Sequence, residues 1–167
     1  MAKAMQGIER IFLMREIEKE SSENASKLFF QTEYENKIKV DSDSEATKDG
    51  PITKIGDPEY DISVTCFLSR EDPWAKKVYK ATVENWRLGL WEIDRGATPV
   101  EDSKYPAIYY EGYINEYQIK AEADDLVELE LSFAIDGIGQ EGNATLSEEQ
   151  AAAVQYAFKD TTPISVA

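Results

Sequence analysis

The sequence contains no histidine and a single cysteine, Cys66. The first absence removes Ser-His-Asp and Cys-His nucleophilic sites and the commonest transition-metal ligand. The second excludes an intrachain disulfide and any cysteine cluster for zinc or iron–sulfur. Positive charge is scarce too: 18 Lys plus Arg stand against 33 Asp plus Glu, a formal charge of −15 over 167 residues. Such a chain repels nucleic acid at a distance and is no conventional DNA-binding module, although DNA could pass its surface without sticking. No apolar run approaches the ~20 residues of a membrane-spanning helix, and the first residues lack a signal-peptide apolar region, so neither secretion nor insertion is expected. No metal or organic cofactor is called for.

What is present is enough apolar material, 42% of residues, for the core of one domain covering 1–167. A chain of this size buries roughly 70% of its unfolded surface. Strict alternation marks two half-buried strands. Over 59–69, Tyr60, Ile62, Val64, Cys66 and Leu68 face one way; over 126–135, Val127, Leu129, Leu131, Phe133 and Ile135 do so. Further strands are expected over 8–15, 27–34, 37–41, 88–94 and 107–120. The last carries a tyrosine stripe, Tyr109, Tyr113 and Tyr117, opposite Ile108, Tyr110 and Ile114. Seven or eight strands with little helix predict a mainly β sandwich or barrel.

One helix is predicted over 73–86: Asp72 caps it, Pro73 sits where a missing N–H costs nothing, and Ala75, Val78, Tyr79, Thr82 and Trp86 share a stripe. A weaker helix opens at Ser147, where Ser147-Glu-Glu-Gln150 matches a capping box ahead of 151–158. The tail 159–167 reads as an arm, and 41–58 as a long polar loop with Lys48-Asp-Gly-Pro51 and Gly56-Asp-Pro58.

Several motifs have plainer readings. Gly137-Ile-Gly-Gln-Glu-Gly142 satisfies G-x-G-x-x-G, but no helix opens inside it, Asp136 and Glu141 would repel phosphates, and a flexible turn is expected. Asp41-Ser-Asp43-Ser-Glu45 starts like a calcium loop, but Ala46 and Ile52 occupy the positions that need Gly and a bidentate Glu. Asn24-Ala-Ser26 and Asn143-Ala-Thr145 match glycosylation acceptors, which carry no meaning without a secretory signal. Cys66, among Val64 and Leu68, reads as a buried small hydrophobe. The tyrosine stripe with Trp74, Trp86 and Trp91 allows a sugar-stacking platform, and a carbohydrate-binding β-sandwich is the alternative function. With 33 acids, no carboxylate pair stands out for a glycosidase. The acidic cluster Glu122, Asp124, Asp125, Glu128 and Glu130 is either a solvated outer face or the lining of a cavity built by several copies.

The order of Phe30-Gln-Thr-Glu33, Thr47-Lys-Asp-Gly50, Gly56-Asp57, Ile62-Ser-Val-Thr-Cys66, a helix and Leu90-Trp-Glu-Ile93 resembles the major tail (tail tube) protein family of long-tailed, non-contractile phages, of the type common in phages of Gram-positive bacteria. The resemblance runs over about 7–158. It implies a tail-tube-type β-sandwich of two packed antiparallel sheets with a flanking helix, six copies closing into a ring with an inter-subunit barrel, and rings stacking into a tube that conducts DNA. Glu122, Asp124, Asp125, Glu128 and Glu130 would then face the lumen. Asp43, Lys48, Asp49 and Gly50 would lie in a loop reaching the next ring. Trp74, Val78, Tyr79, Thr82 and Trp86 would belong to the flanking helix. The implied partners are other copies of the chain, the tape measure protein, the tail terminator, the distal tail or baseplate proteins, and DNA in transit without specific binding. The location implied is the virion tail, after synthesis in the bacterial host cytoplasm, with no catalytic site. The tube of a contractile or secretion-type injection machine is the neighbouring alternative.

Overall fold

The computed structural model describes residues 2–101, 103–147, 150, 161 and 163. Among these residues, seven antiparallel strands form one sheet: β1 (Arg10–Glu16), β2 (Ser26–Lys27), β3 (Gln31–Thr47), β4 (Gly50–Phe67), β5 (Leu88–Asp94), β6 (Lys104–Lys120) and β7 (Glu128–Thr145). Their order is β2-β1-β5-β6-β7-β4-β3. The two expected layers are thus hydrogen-bonded into a single sheet that rolls around its own core. The roll stays open. Between β1 and β3, the Gln31 amide donates to Phe12 O (2.7 Å) and accepts from Phe12 N–H (3.2 Å), a side chain standing in for a missing strand partner.

The interior is lined by Phe12 and Met14 of β1, Ile62, Val64 and Cys66 of β4, Leu88 and Leu90 of β5, Tyr110 and Ile114 of β6, and Leu129, Leu131 and Phe133 of β7. Phe12 stacks on Tyr34 (5.3 Å between centroids) and tilts against Phe133 (5.2 Å). On the other side of β1 and β5, Ile11, Leu13, Ile93 and Leu146 make a second, smaller core. β1 is therefore buried on both faces, which is why Ile-Phe-Leu-Met runs unbroken instead of alternating.

Helix α1 (Pro73–Val83) closes one side of the roll. Asp72 is fully buried and uses both carboxylate oxygens: one accepts from Trp74 N–H (2.9 Å) and the other from Phe29 N–H (2.8 Å). The helix ends three residues before the predicted Trp86 because Asn85 adopts the left-handed region (φ 57°), which turns the chain away. Its buried stripe is Trp74, Val78 and Ala81, rotated from the predicted one; Thr82 is half-buried and Tyr79 is 63% exposed. The Ser147–Gln150 capping bonds are formed (3.1 and 3.2 Å); the helix expected over 151–158 and the arm over 159–167 lie outside the described residues, apart from Thr161 and Pro163.

Two segments read as irregular are strand. The 41–58 loop is a ladder: Thr47 pairs with Gly50 across the two-residue turn Lys48-Asp49, Gly50 takes φ 111°, and pairing continues back to Val40 opposite Pro58. The glycine run 137–142 lies inside β7. Between Asp136, opposite Glu111, and Gln140, opposite Tyr109, extra residues bulge out. A Cβ on Gly139 would come within 2.4 Å of the Tyr110 ring, and Gly139 N–H donates to the Tyr60 hydroxyl (3.1 Å). Glycine is thus required for a close approach of backbone to aromatic ring, not for a phosphate.

Candidate assembly surfaces

Strand registry decides which side chains share the outward face. Residues directly opposite one another point the same way. Reading across β3, β4, β7 and β6, one row is Glu33, Thr65, Glu130 and Gln118; the next is Glu35, Ser63, Ser132 and Glu116. Phe67, Glu128 and Lys120 form a third, and Lys37 with Asp61 a fourth. This face therefore carries six carboxylates, Glu33, Glu35, Asp61, Glu116, Glu128 and Glu130, against two ammonium groups, Lys37 and Lys120.

Of the five acids singled out from sequence, Glu128 and Glu130 lie on this face. Glu122, Asp124 and Asp125 occupy the exposed 121–127 connection beyond it, where Lys120 pairs with Glu122 (3.5 Å). Glu33, Glu35 and Glu116 were not anticipated. The alternation Glu33-Tyr-Glu35-Asn36 was the available signal, but only registry shows that these acids join Glu130.

Near the middle of β6 one guanidinium stands against two carboxylates. Arg87 holds Glu111 (3.0 Å) and Asp136 (2.9 Å), and its guanidinium lies 5.9 Å from the Tyr113 ring centre. Hydrogen bonds from Arg87 and Tyr109 keep the Glu111 carboxyl below its usual range.

The tyrosine stripe does not survive as a platform. A register shift between Ile114 and Glu116 carries Tyr117 to the core side, opposite Leu131. Tyr109 is packed on Trp91 (4.9 Å) and bonded to Glu111 (3.1 Å).

The second surface is the far half of the β3–β4 hairpin. β4 pairs with β7 only through Ile62–Phe67, so beyond Asn36 and Ile62 the hairpin is a two-stranded ribbon roughly 30 Å long. One of its faces continues the core side: Ile38, Val40, Ser42 and Ser44 sit opposite Tyr60, Pro58, Ile55 and Thr53, with no charged residue among them. Ile55 is 67% exposed and Ile38 55%. The other face carries Lys37, Lys39, Asp43, Glu45, Lys54, Glu59 and Asp61. Lys54 pairs with Glu45 there, and among the described residues no acidic group is arranged to hold a metal. Asp43 lies on the ribbon and Lys48, Asp49 and Gly50 form its tip.

The third surface is the open seam. A groove of about 820 Å³ runs along the unpaired edge of β3, lined by Ile8, Arg10, Leu28, Phe30, Tyr34 and Glu92 among others. Glu92 is held by Arg10 (3.3 Å), the Tyr34 hydroxyl (3.1 Å) and Asn36 (3.2 Å). Burial and then the Glu92 charge raise the Tyr34 phenol, and burial with the nearby Arg95 lowers the Lys27 ammonium. Cys66 is fully buried and its thiol is pushed up to about 12, chiefly by burial. No helix among the described residues is long and apolar enough to cross a membrane.

An open antiparallel roll with a free long edge, a projecting ribbon and a carboxylate-rich outer face is the shape of a subunit, not of a self-contained binding module. The family model of the phage tail tube protein matches residues 4–141, and the chain belongs to that family. A Staphylococcus phage phiMR25 protein assigned to the tail by name is 32% identical over 168 residues, covering 97% of this chain and 86% of that one. Among solved structures, the SPP1 tail tube superimposes with a TM-score of 0.75 at 19% identity, covering 93% of this chain and 91% of that one. The tail of a gene transfer agent particle, refined with C6 symmetry, gives 0.60 at 10% identity, covering 86% and 100%. The chain is thus a structural protein of the phage virion tail.

Proposed function

We propose that six copies close into a ring, that rings stack into the tail tube, and that the outward face of β3, β4, β7 and β6 lines the bore through which DNA leaves the capsid. The observation that carries this reading is the pair of cross-sheet rows bearing Glu33, Glu130, Glu35 and Glu116. Carboxylates on a bore repel phosphates, so the duplex has no counterion-releasing contacts and slides. At 0.1 M salt the Debye length is about 10 Å, so only charges close to the duplex act, and a lining of this modest density suffices. The long free edge of β3 supports ring closure, because copies that pair their edges leave none exposed.

The chain works without catalysis. The tape measure protein in the bore and the terminator and distal tail proteins at the two ends are the further partners of this reading. Its test uses tubes assembled from purified protein, seen by negative-stain microscopy, and a filter-binding assay with short duplex DNA at low salt. Wild-type tubes are expected to leave DNA in solution, and tubes of the triple variant Glu33→Lys, Glu35→Lys, Glu130→Lys to retain it. Equal behaviour of the two tubes sinks the assignment of the bore face.

A further inference from the structure

We infer that, within one ring, the outer stripe of α1 of each copy seats in the groove beside β3 of the next, with Phe30 as the anchor. This rests on the ring reading and names what fills the groove. Two strand edges are free on opposite sides of the acidic face. β3 pairs only with β4, and β6 pairs with β5 only through Ala107–Gly112, so from Tyr113 to Lys120 its second edge has no strand beside it among the described residues. Each strand from β3 through β4 and β7 to β6 is antiparallel to the one before, so β3 and β6 run opposite ways. Rotation about the bore keeps strand direction. The free half of β6 can therefore meet β3 of the next copy as an antiparallel neighbour, and the acidic face runs on from copy to copy.

Joining those two edges also brings together what flanks each of them on the core side. Beside the free half of β6 stands α1, with the Tyr79 ring against that of Tyr117 (6.0 Å). Its outward stripe is Lys76, Tyr79, Lys80 and Val83; Tyr79 and Val83 are both more than 60% exposed, and Ile119 of β6 extends the apolar surface. Beside β3 lies the groove of about 820 Å³. Tyr34 lines it and packs on Phe12, so it opens on the core side of β3, and its lips Ile8 and Phe30 stand out to solvent. The groove's charges, Arg10, Lys27 and Arg95 against Glu33 and Glu92, nearly balance, and Arg10 is closed on Glu92 (3.3 Å). Packing, not charge, carries the contact.

Backbone geometry singles out Phe30. Its φ of 53° lies in the left-handed region, which a bulky residue rarely adopts. Three hydrogen bonds hold the segment there: Phe29 N–H donates to the Asp72 carboxylate (2.8 Å), Phe67 N–H to Phe30 O (3.1 Å) and the Gln31 amide to Phe12 O (2.7 Å). Strain of this kind persists only where the surroundings impose it. Here it holds an aromatic ring outside the chain's own core, which gives the isolated copy nothing. Against the Tyr79 ring of a neighbour the same side chain becomes an interface anchor.

The test uses the full chain. Phe30→Asn suits the left-handed backbone and removes the ring. Its urea midpoint is expected to equal or exceed that of the wild type, while the protein concentration at which rings appear in sedimentation and negative stain rises at least about tenfold. Tyr79→Asp, at an exposed site, is expected to shift assembly as far, with its fold intact by circular dichroism. Cross-linking reads the location. Thr32→Cys at the groove and Lys76→Cys on the stripe, both exposed, are combined in one chain and joined by a short bis-maleimide; the wild type, whose one thiol is the buried Cys66, is the control. Assembled protein is expected to give a ladder from two copies to six and no further, because a contact that follows the ring closes on itself. Assembly of either Phe30→Asn or Tyr79→Asp at the wild-type concentration, no ladder, or a ladder running past six overturns the inference and leaves the tube reading standing. Wild-type protein that forms neither rings nor tubes overturns the tube reading itself.

Discussion

Strand β4 belongs to two different worlds. Over Ile62–Phe67 its inward residues Ile62, Val64 and Cys66 are fully buried in the core they share with residues of β1, β5, β6, β7 and α1; a few residues earlier, on the same side of the same hairpin, Ile55 stands open to solvent. Both halves carry apolar side chains on the core side, although Gly50, Pro51, Gly56 and Pro58 lower the β propensity of the earlier one. What differs is the layer opposite. The covered half completes its own core within one chain, whereas the ribbon has the side-chain pattern of an interior surface with no layer packed on it among the described residues. Exposed apolar side chains of this kind are the mark of an interface.

The sharpest way to break this comparison is to truncate one residue from each half. Phe12→Ala removes a fully buried ring packed on Tyr34 and Phe133 and should cost about 3–5 kcal/mol of stability. Ile55→Ser should change stability by about 0.5 kcal/mol or less, yet shorten tubes drastically. Urea unfolding measures both, and Cys66 gives an independent readout: with its thiol pushed up to about 12, it should react with a thiol reagent only when the core opens. Equal costs at the two sites would show the ribbon to be part of the folding unit.

A second pair of variants sharpens the boundary between the halves. Gly139→Ala places a methyl against the Tyr110 ring and its neighbour Ile108, and a loss of about 1–3 kcal/mol is expected from overpacking. Gly142→Ala, where nothing lies within 4 Å, should be neutral to about 0.5 kcal/mol. Thermal unfolding of the two proteins side by side checks the contrast.

The covered half was the legible one. β5 falls on its predicted limits; β6, the first part of β7 and the last part of β4 follow from the alternation that burial on one side imposes, and the start of α1 from its cap, while β1 lies close to its expected place although, buried on both faces, it does not alternate. The ribbon hid behind Gly50, Pro51, Gly56 and Pro58, which read as turn chemistry but are tolerated on a two-stranded edge where few N–H groups need partners. Bulges defeated the simple period as well: one shift in β6 moved Tyr117 from the outer face to the core. The acidic face was half visible, since Glu128 and Glu130 alternate with Leu129 and Leu131. Glu33, Glu35 and Glu116 needed knowledge of which strands are neighbours, which one strand's sequence does not contain.

Charge extends the comparison to assembly. With a formal charge of −15 on every copy, bringing subunits together is opposed by long-range repulsion that salt screens. Added salt should therefore speed polymerisation of purified protein, with light scattering rising more steeply between 0.05 and roughly 0.5 M, where the Debye length shrinks several-fold. The covered half, whose contacts are apolar, should change its urea midpoint little over the same range. Scattering that falls as salt is added would mean that specific ion pairs, not apolar faces, hold the copies together.

The smallest effect expected is in the pH dependence of folding, where two carboxyls act in opposite senses. Asp72 is buried, and desolvation lifts its pKa above the usual 3.8 despite the two backbone N–H bonds that favour its charged form. The folded state then keeps a proton that the unfolded chain has released, so its contribution is greatest below pH 3.8 and declines as pH rises through the lifted value. Glu111 is the reverse: held low by Arg87, it contributes stability above its usual 4.5 that is lost as pH falls through its depressed value. Asp72→Asn keeps an acceptor for one of the two N–H groups and removes the titration. The variant has a pH-independent cost of its own, so the slope is the readout. Between pH 3.5 and 6, its urea midpoint should rise with pH more steeply than that of the wild type, because only the Glu111 trend and others of its sign remain. Parallel curves would mean that Asp72 ionises no differently in the folded and unfolded chain, and that the cap beneath α1 is held by its hydrogen bonds as strongly as burial opposes its charge.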